Sequence, residues 1–82
     1  MVQARVYVTL KKSVLDPQGV TVKQALSSLG FEGVDDVRVG KYLELKLKEK
    51  DAGKAKIRLN EMCQKLFANP VIEEYRCEVE GQ

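Results

Sequence analysis

The chain has 82 residues, with 14 basic side chains, 12 acidic side chains and no histidine. This length predicts a single domain, residues 1–82, and such a domain buries only roughly 60–65% of the surface that its unfolded chain exposes. The net charge of +2 argues against dedicated nucleic-acid binding, no apolar run is long enough to span a membrane, and no signal-peptide pattern opens the chain. We therefore expect a soluble, cytoplasmic protein that gains stability by association.

The first strand is predicted from residue 4, where apolar and polar residues alternate. Asp16 and Pro17 then provide a helix cap followed by a proline in the first turn. Thr21 offers a later start, because it opens a capping-box pattern with Gln24. Gly30 is predicted to end this helix. The residues of its apolar stripe are Val22, Ala25, Leu26 and Leu29.

A second strand is predicted at residues 34–39, followed by a tight turn at Gly40-Lys41 and then by a third strand. The third strand has the clearest alternation in the chain. The residues of these two strands that are predicted to face inward are Val37, Val39, Leu43, Leu45 and Leu47.

A second helix is predicted over residues 52–68, because Pro70 disfavours helical geometry at the residue before it. A last strand follows at residues 71–79. The predicted core side of the helix consists of Ala55, Leu59, Met62, Cys63 and Leu66, and that of the strand of Tyr75, Cys77 and Val79.

The element order β-α-β-β-α-β predicts an α+β fold. Right-handed crossovers place both helices on one face of a four-stranded antiparallel sheet, which is the ferredoxin-like sandwich. Cys63 and Cys77 fall on core faces, form no Cys-x-x-Cys pair and have no histidine to complete a metal set. We predict two reduced thiols that behave as small hydrophobic groups.

The sheet face without helices is predicted to carry polar and aromatic side chains from every strand. Such a face is either solvated or a protein interface, since tyrosine and arginine are favoured at interfaces. Basic residues are concentrated in residues 41–58 and acidic ones in residues 73–80, which favours docking to a charged partner. The predicted residues of this face are Arg5, Tyr7, Thr9, Arg38, Tyr42, Glu44, Lys46, Lys48, Glu74, Arg76 and Glu78.

Catalytic chemistry has little support in the sequence. There is no histidine to act as a general base near neutral pH, and no nucleophile motif or phosphate-binding glycine pattern is present. The pairs Asp35-Asp36 and Glu73-Glu74 would point to opposite faces of a strand. We predict no catalytic, cofactor-binding or metal-binding residue.

Two other classes of function remain open on these residues. An RNA-recognition domain of this topology would stack bases on Tyr7 and Tyr42, although Glu44, Glu74 and Glu78 would then face the phosphates. A small-ligand regulatory domain is the other alternative.

Four segments together resemble the PurS family, the small subunit of phosphoribosylformylglycinamidine synthase. They are residues 6–11 (VYVTLK), 14–19 (VLDPQG), 36–42 (DVRVGKY) and 62–75, and they keep the family's order and spacing. The resemblance implies an accessory subunit of an amidotransferase complex in purine biosynthesis, with a dimer or tetramer of its own. It implies two partners, a glutaminase subunit that releases ammonia and a large synthetase subunit that uses ATP and Mg.

The resemblance supplies no catalytic residue, and it implies that this subunit holds its partners together and assists ammonia transfer. Three matching turns are candidates for contacts: the helix entry, the Gly40-Lys41-Tyr42 segment and the Asn69-Pro70 corner. Three tyrosines and one arginine of the predicted strands are also candidates for contacts. The candidate interface residues are Tyr7, Asp16, Gln18, Arg38, Lys41, Tyr42, Asn69, Pro70 and Tyr75.

Overall fold

The computed structural model describes residues 1–80, so the last two residues of the predicted domain lie outside the described part of the chain. Within residues 1–80 the sheet has three antiparallel strands in the order β2-β1-β3. The elements in chain order are β1 (Val2–Leu10), α1 (Pro17–Ser28), β2 (Gly40–Leu47), α2 (Ala52–Met62), a π turn (Cys63–Phe67) and β3 (Glu73–Glu80).

The central strand β1 carries the core of the molecule. Its alternation places Val2, Ala4, Val6 and Val8 on the face that α2 covers, and all four side chains are buried. β1 pairs with β2 along one edge and with β3 along the other, so its backbone hydrogen bonds are used on both sides. The alternation predicted for the first strand is confirmed.

Helix α2 covers this face through residues spaced one turn apart. Asp51 caps its first turn by accepting a hydrogen bond from the Gly53 N–H at 2.8 Å. Ala55, Leu59 and Cys63 are fully buried against the sheet. The prediction for Leu66 is wrong, because its side chain is 78% exposed. The wider π turn advances each residue by a smaller angle, so Phe67 rather than Leu66 packs against the core.

The predicted second strand is the main error in the fold. Residues 34–39, all of which are described, form no strand. Their backbone is engaged elsewhere: the Val39 N–H donates to the Asp16 carboxylate at 2.8 Å, and the Val37 carbonyl lies against Gly19. The fold is therefore α+β, but the four-stranded ferredoxin-like sheet is not formed. Along the described chain no strand pairs with the outer edge of β2.

The turn predicted at Gly40-Lys41 is also absent, because Gly40 begins β2 and pairs with Thr9 of β1. The last strand begins at Glu73 instead of residue 71, since a turn follows Pro70. None of the helices within the described residues is long and apolar enough to cross a membrane.

Helix α1 begins and ends where the sequence predicts but does not cover the sheet. Asp16 caps it, Pro17 is its first residue, and Gly30 follows it with φ of 92°. Its apolar stripe, predicted to pack inward, is largely exposed: Leu29 is 73% exposed. The prediction of two helices on one sheet face is wrong for this reason.

We call residues 11–39, which contain α1 and the segment after it, the arm. The Lys23 ammonium donates to the Asp35 carbonyl at 2.7 Å and so ties the two parts of the arm together. The molecule is 49 Å long and 14 Å thick, with a radius of gyration of 16.1 Å. A compact chain of this length has a radius of gyration of about 12 Å, so the arm gives the subunit an extended shape.

Candidate functional site

The base of the arm is fixed by one buried carboxylate. Asp16 accepts hydrogen bonds from the Gly19 N–H at 3.0 Å and from the Val39 N–H at 2.8 Å. These hydrogen bonds stabilise the charged carboxylate and so hold the pKa of the Asp16 carboxyl below its usual range; the bond from the Val39 N–H has the larger effect. Asp16 thus joins the start of the arm to its end, and its role is to position the helix entry.

Arg38 reinforces the same junction. Its guanidinium donates to the carbonyls of Val14 and Lys12 at 2.9 and 3.0 Å. The prediction that Arg38 lies on the open sheet face is wrong, because residues 34–39 are not part of the sheet. Arg38 instead closes the arm at its base.

A second cluster lies at the corner between the π turn and β3. The Lys41 ammonium donates to the Phe67 carbonyl at 2.8 Å and lies 3.9 Å from the Glu73 carboxylate. Glu73 accepts a hydrogen bond from the Asn69 N–H at 2.6 Å. The Asn69 side chain accepts one from the Val71 N–H at 3.1 Å and so shapes the turn around the exposed Pro70.

The fold brings the helix entry and this corner to the same end of the sheet. A cleft of 250 Å³ lies between them. Three candidate residues from two separate parts of the chain share this cleft with Glu73: Asp16 and Gln18 of the helix entry and Lys41 of β2. Glu73 is not among the residues predicted for the site. Its position four residues after Asn69 could have indicated the hydrogen bond that it accepts from the Asn69 N–H. The cleft is lined by Val8, Thr9, Leu10, Asp16, Gln18, Val39, Gly40, Lys41 and Glu73.

The open sheet face carries an aromatic pair at its centre. Tyr7 and Tyr42 are cross-strand neighbours with ring centroids 5.1 Å apart. The Arg76 guanidinium lies 4.4 Å from the centre of the Tyr7 ring, within the range of a cation–π contact. This arrangement confirms that Tyr7 and Tyr42 share the open face, whereas Tyr75 lies on the opposite face and packs against the core.

Ion pairs surround the aromatic pair. Arg5 donates to Glu80 at 2.6 Å and lies 3.5 Å from Glu78. Tyr7 donates its hydroxyl hydrogen to Glu78 at 2.6 Å. This hydrogen bond raises the pKa of Tyr7 and, with the nearby Arg5 charge, lowers the pKa of Glu78. Arg5, Glu78 and Glu80 on this face are therefore paired with one another or with Tyr7.

This geometry does not favour the RNA alternative. A base that stacked on Tyr7 would have to displace Arg76, and Glu44, Glu74, Glu78 and Glu80 would surround its phosphates. Among the described residues, no group of three or more histidine, cysteine, aspartate or glutamate side chains is arranged to hold a metal ion. The arrangement offers charged and aromatic contact surfaces.

Comparison with known proteins identifies the family. The family described as "PurS: Phosphoribosylformylglycinamidine (FGAM) synthase" matches residues 3–81. The chain belongs to the PurS family. It is 52% identical over 80 residues to the phosphoribosylformylglycinamidine synthase subunit PurS of Bacillus subtilis, covering 98% of this chain and 94% of that protein.

Solved structures agree with this assignment. The chain is similar to Methanocaldococcus jannaschii PurS, described as one of the subunits of formylglycinamide ribonucleotide amidotransferase in the purine biosynthetic pathway, with 43% identity and a TM-score of 0.90 over 100% of this chain and 99% of that one. It is also similar to a chain of the PurLQS structure from Thermotoga maritima, with 27% identity and a TM-score of 0.86 over 98% and 99% of the two chains. The PurS resemblance predicted from four segments is confirmed.

Proposed function

We propose that this chain is the non-catalytic accessory subunit of a phosphoribosylformylglycinamidine synthase complex in purine biosynthesis. The observation that carries the proposal is the PurS match, which covers residues 3–81. The complex converts formylglycinamide ribonucleotide to the amidine with ATP and glutamine. This subunit bridges the glutaminase and synthetase subunits and assists the transfer of ammonia between them.

The partners are proposed from the PurLQS structure, in which a chain of this fold occurs with PurL and PurQ. We assign ATP and Mg binding to the synthetase partner and no active site to this subunit, because Asp16 and Arg38 bind backbone groups at the base of the arm and the sequence offers no histidine as a general base. We also propose a cytoplasmic location, because the PurS proteins that this chain resembles are subunits of a purine-biosynthetic enzyme.

The exposed arm supports a role in assembly. Leu29 and Phe31, which lie two residues apart, are 73% and 60% exposed, and exposed apolar patches mark protein interaction sites. Within residues 1–80 no strand pairs with the outer edge of β2, so this edge offers backbone groups to another chain. We therefore propose that the arm and the β2 edge contact other subunits, including a second copy of this chain in a dimer or tetramer.

Reconstitution of the complex tests this function. We expect that omission of this chain abolishes glutamine-dependent amidine synthesis by the two larger subunits, while synthesis driven by added ammonium salt persists, because only ammonia delivery requires the bridge. Equal glutamine-dependent turnover with and without this chain would disprove the proposal.

A pair of variants locates the contact. Leu29→Ser, on the arm, is expected to weaken assembly by tenfold or more in a titration of glutamine-dependent activity. Ile57→Ser is the matched control, because Ile57 is 62% exposed on α2, away from the arm. The same loss in both variants would show that the arm has no special part in assembly.

A further inference from the structure

The two cysteines of the chain meet in the core. The sulfur of Cys63, at the junction of α2 and the π turn, lies 3.6 Å from the sulfur of Cys77 on β3, and both thiols are free. A disulfide has a sulfur–sulfur distance of about 2.05 Å, so the two atoms need to approach by about 1.5 Å. That displacement is of the size that a small side-chain rotation produces.

The two thiols differ in access. Cys63 is fully buried, and this burial raises the pKa of its thiol to about 12. Cys77 lies on an edge strand and is only half-buried. Its thiol lies 3.8 Å from the Asn60 side-chain oxygen, to which it donates. Cys77 is therefore the thiol that a small oxidant reaches first.

The surrounding structure keeps the pair together. Cys63 belongs to the π turn, and its carbonyl accepts the hydrogen bond of the Ala68 N–H at 2.9 Å. The wider spacing of a π turn is a local departure from regular helix geometry that occurs often at functional sites. Cys77 is held in register by the pairing of its strand with Val6 of β1. To bring the two sulfurs together, the Cys63 side chain at the end of the helix therefore moves toward Cys77.

We propose that Cys63 and Cys77 form a reversible oxidation site, at which a hydroperoxide converts the two thiols to an intramolecular disulfide. The Cys77 sulfur attacks the peroxide oxygen, which breaks the O–O bond and gives a sulfenic acid and one molecule of water or alcohol. The Cys63 sulfur then attacks the Cys77 sulfur and displaces the hydroxyl group, which leaves as water with the Cys63 proton. Two electrons pass to the peroxide, and a dithiol reductant returns them.

This disulfide joins the end of α2 to β3 on the side of the sheet opposite the Tyr7–Tyr42 pair. It leaves the arm and the open face unchanged, because neither cysteine contributes to them. Oxidation is therefore expected to protect Cys77 from irreversible oxidation without disturbing assembly. A chain that lacks Cys63 has no partner thiol to trap the sulfenic acid, so its Cys77 proceeds to the sulfinic acid.

The test uses the full chain, hydrogen peroxide and intact-mass spectrometry after alkylation. We expect the wild type to lose both free thiols together, to lose the mass of two hydrogens, to yield a Cys63–Cys77 cross-linked peptide, and to recover fully with dithiothreitol. Two free thiols after treatment, or a Cys77 that reaches the sulfinic acid without a disulfide, would overturn the proposal.

The control is Cys77→Ser, which changes the half-buried position and preserves the size of the side chain. Its remaining thiol, Cys63, is expected to stay unmodified under the same treatment because it is buried. If Cys63 in this variant is oxidised as fast as the pair in the wild type, Cys77 is not the first site and the proposed order of steps is wrong. These readouts need no partner subunit, so they are independent of the accessory function.

Discussion

The sheet with α2 and the arm use apolar side chains in opposite ways. On the sheet, Val2, Val6, Val8 and Leu59 are fully buried, and the strand β1 is paired along both edges. In the arm, the apolar side chains of α1 face outward and the segment that follows forms no regular structure. The first region is stable through its own contacts, and the second is held by a few polar contacts at its base. The comparison teaches that the buried core and the region that we propose for assembly are different parts of this chain.

The largest expected effect comes from the core of the sheet. Leu59→Ala is expected to lower the free energy of unfolding by about 2–5 kcal/mol, because it removes a fully buried side chain and leaves a cavity. Urea denaturation followed by circular dichroism measures it. Leu66→Ala is the matched control: it removes the same atoms one or two turns further on, and its effect should stay within about 0.5 kcal/mol. Equal effects would show that the π turn does not turn Leu66 outward.

A smaller effect is expected where the arm folds back on itself. In Gly19→Ala the added methyl group would overlap the Val37 carbonyl oxygen, so residues 34–39 must move away from α1. Overpacking of this kind costs about 1–3 kcal/mol. Hydrogen exchange should show the loss in the arm and unchanged protection in β1. Gly53→Ala, in the first turn of α2, is the control: its added methyl group meets only the Asp51 side-chain oxygen, at 3.3 Å, and its effect should stay within about 1 kcal/mol. Faster exchange in β1 of Gly19→Ala would mean that the two regions unfold together.

The smallest effect is a dependence on pH. The pKa of Asp16 is depressed in the folded state, so its contribution to stability is fully present above the unfolded value of about 3.9 and is lost as pH falls through the folded value. The protection of the arm amides against hydrogen exchange, relative to their intrinsic rates at each pH, should therefore fall below about pH 4.

Asp16→Asn removes this dependence, because the amide does not titrate. The pKa of Glu78 is depressed as well, so Glu78→Gln should change the acid response of the sheet while that of the arm remains. An arm whose acid response is the same in wild type and in Asp16→Asn would contradict this assignment.

The elements that local pattern determines could be predicted from the sequence. The alternation of Val6 and Val8, the Asp16-Pro17 cap and the φ of Gly30 each depend on neighbouring residues alone. The family could be predicted as well, because its segments are contiguous in the chain.

The fate of residues 34–39 could not be predicted, because it depends on a side chain more than twenty residues away in the chain. Val37 and Val39 suggest a strand, but the Asp16 carboxylate binds the Val39 N–H that a neighbouring strand would use. Phe67 packs against the core in place of Leu66 because residues 63–67 form a π turn. No pattern of residue types in the sequence predicts such a turn.

The candidate site shows the same division. Asp16, Lys41 and Asn69 could be picked out from the sequence, yet their meeting at one end of the sheet depends on the pairing of β2 and β3 with β1. The position of Arg38 could not be predicted, because its partners are backbone carbonyls at the start of the arm. Every residue has a backbone carbonyl, so the residue types do not show which carbonyls bind Arg38.

The bonds at the base of the arm have a mechanical consequence. Asp16 and Arg38 join the two ends of the arm to each other in a molecule that is 49 Å long, and Leu29 and Phe31 are exposed between those ends. Because both ends of the arm meet at one base, a load on its exposed part reaches the sheet through this single junction. If the arm and the sheet bind different subunits, as we propose, this junction sets the angle between those two larger bodies.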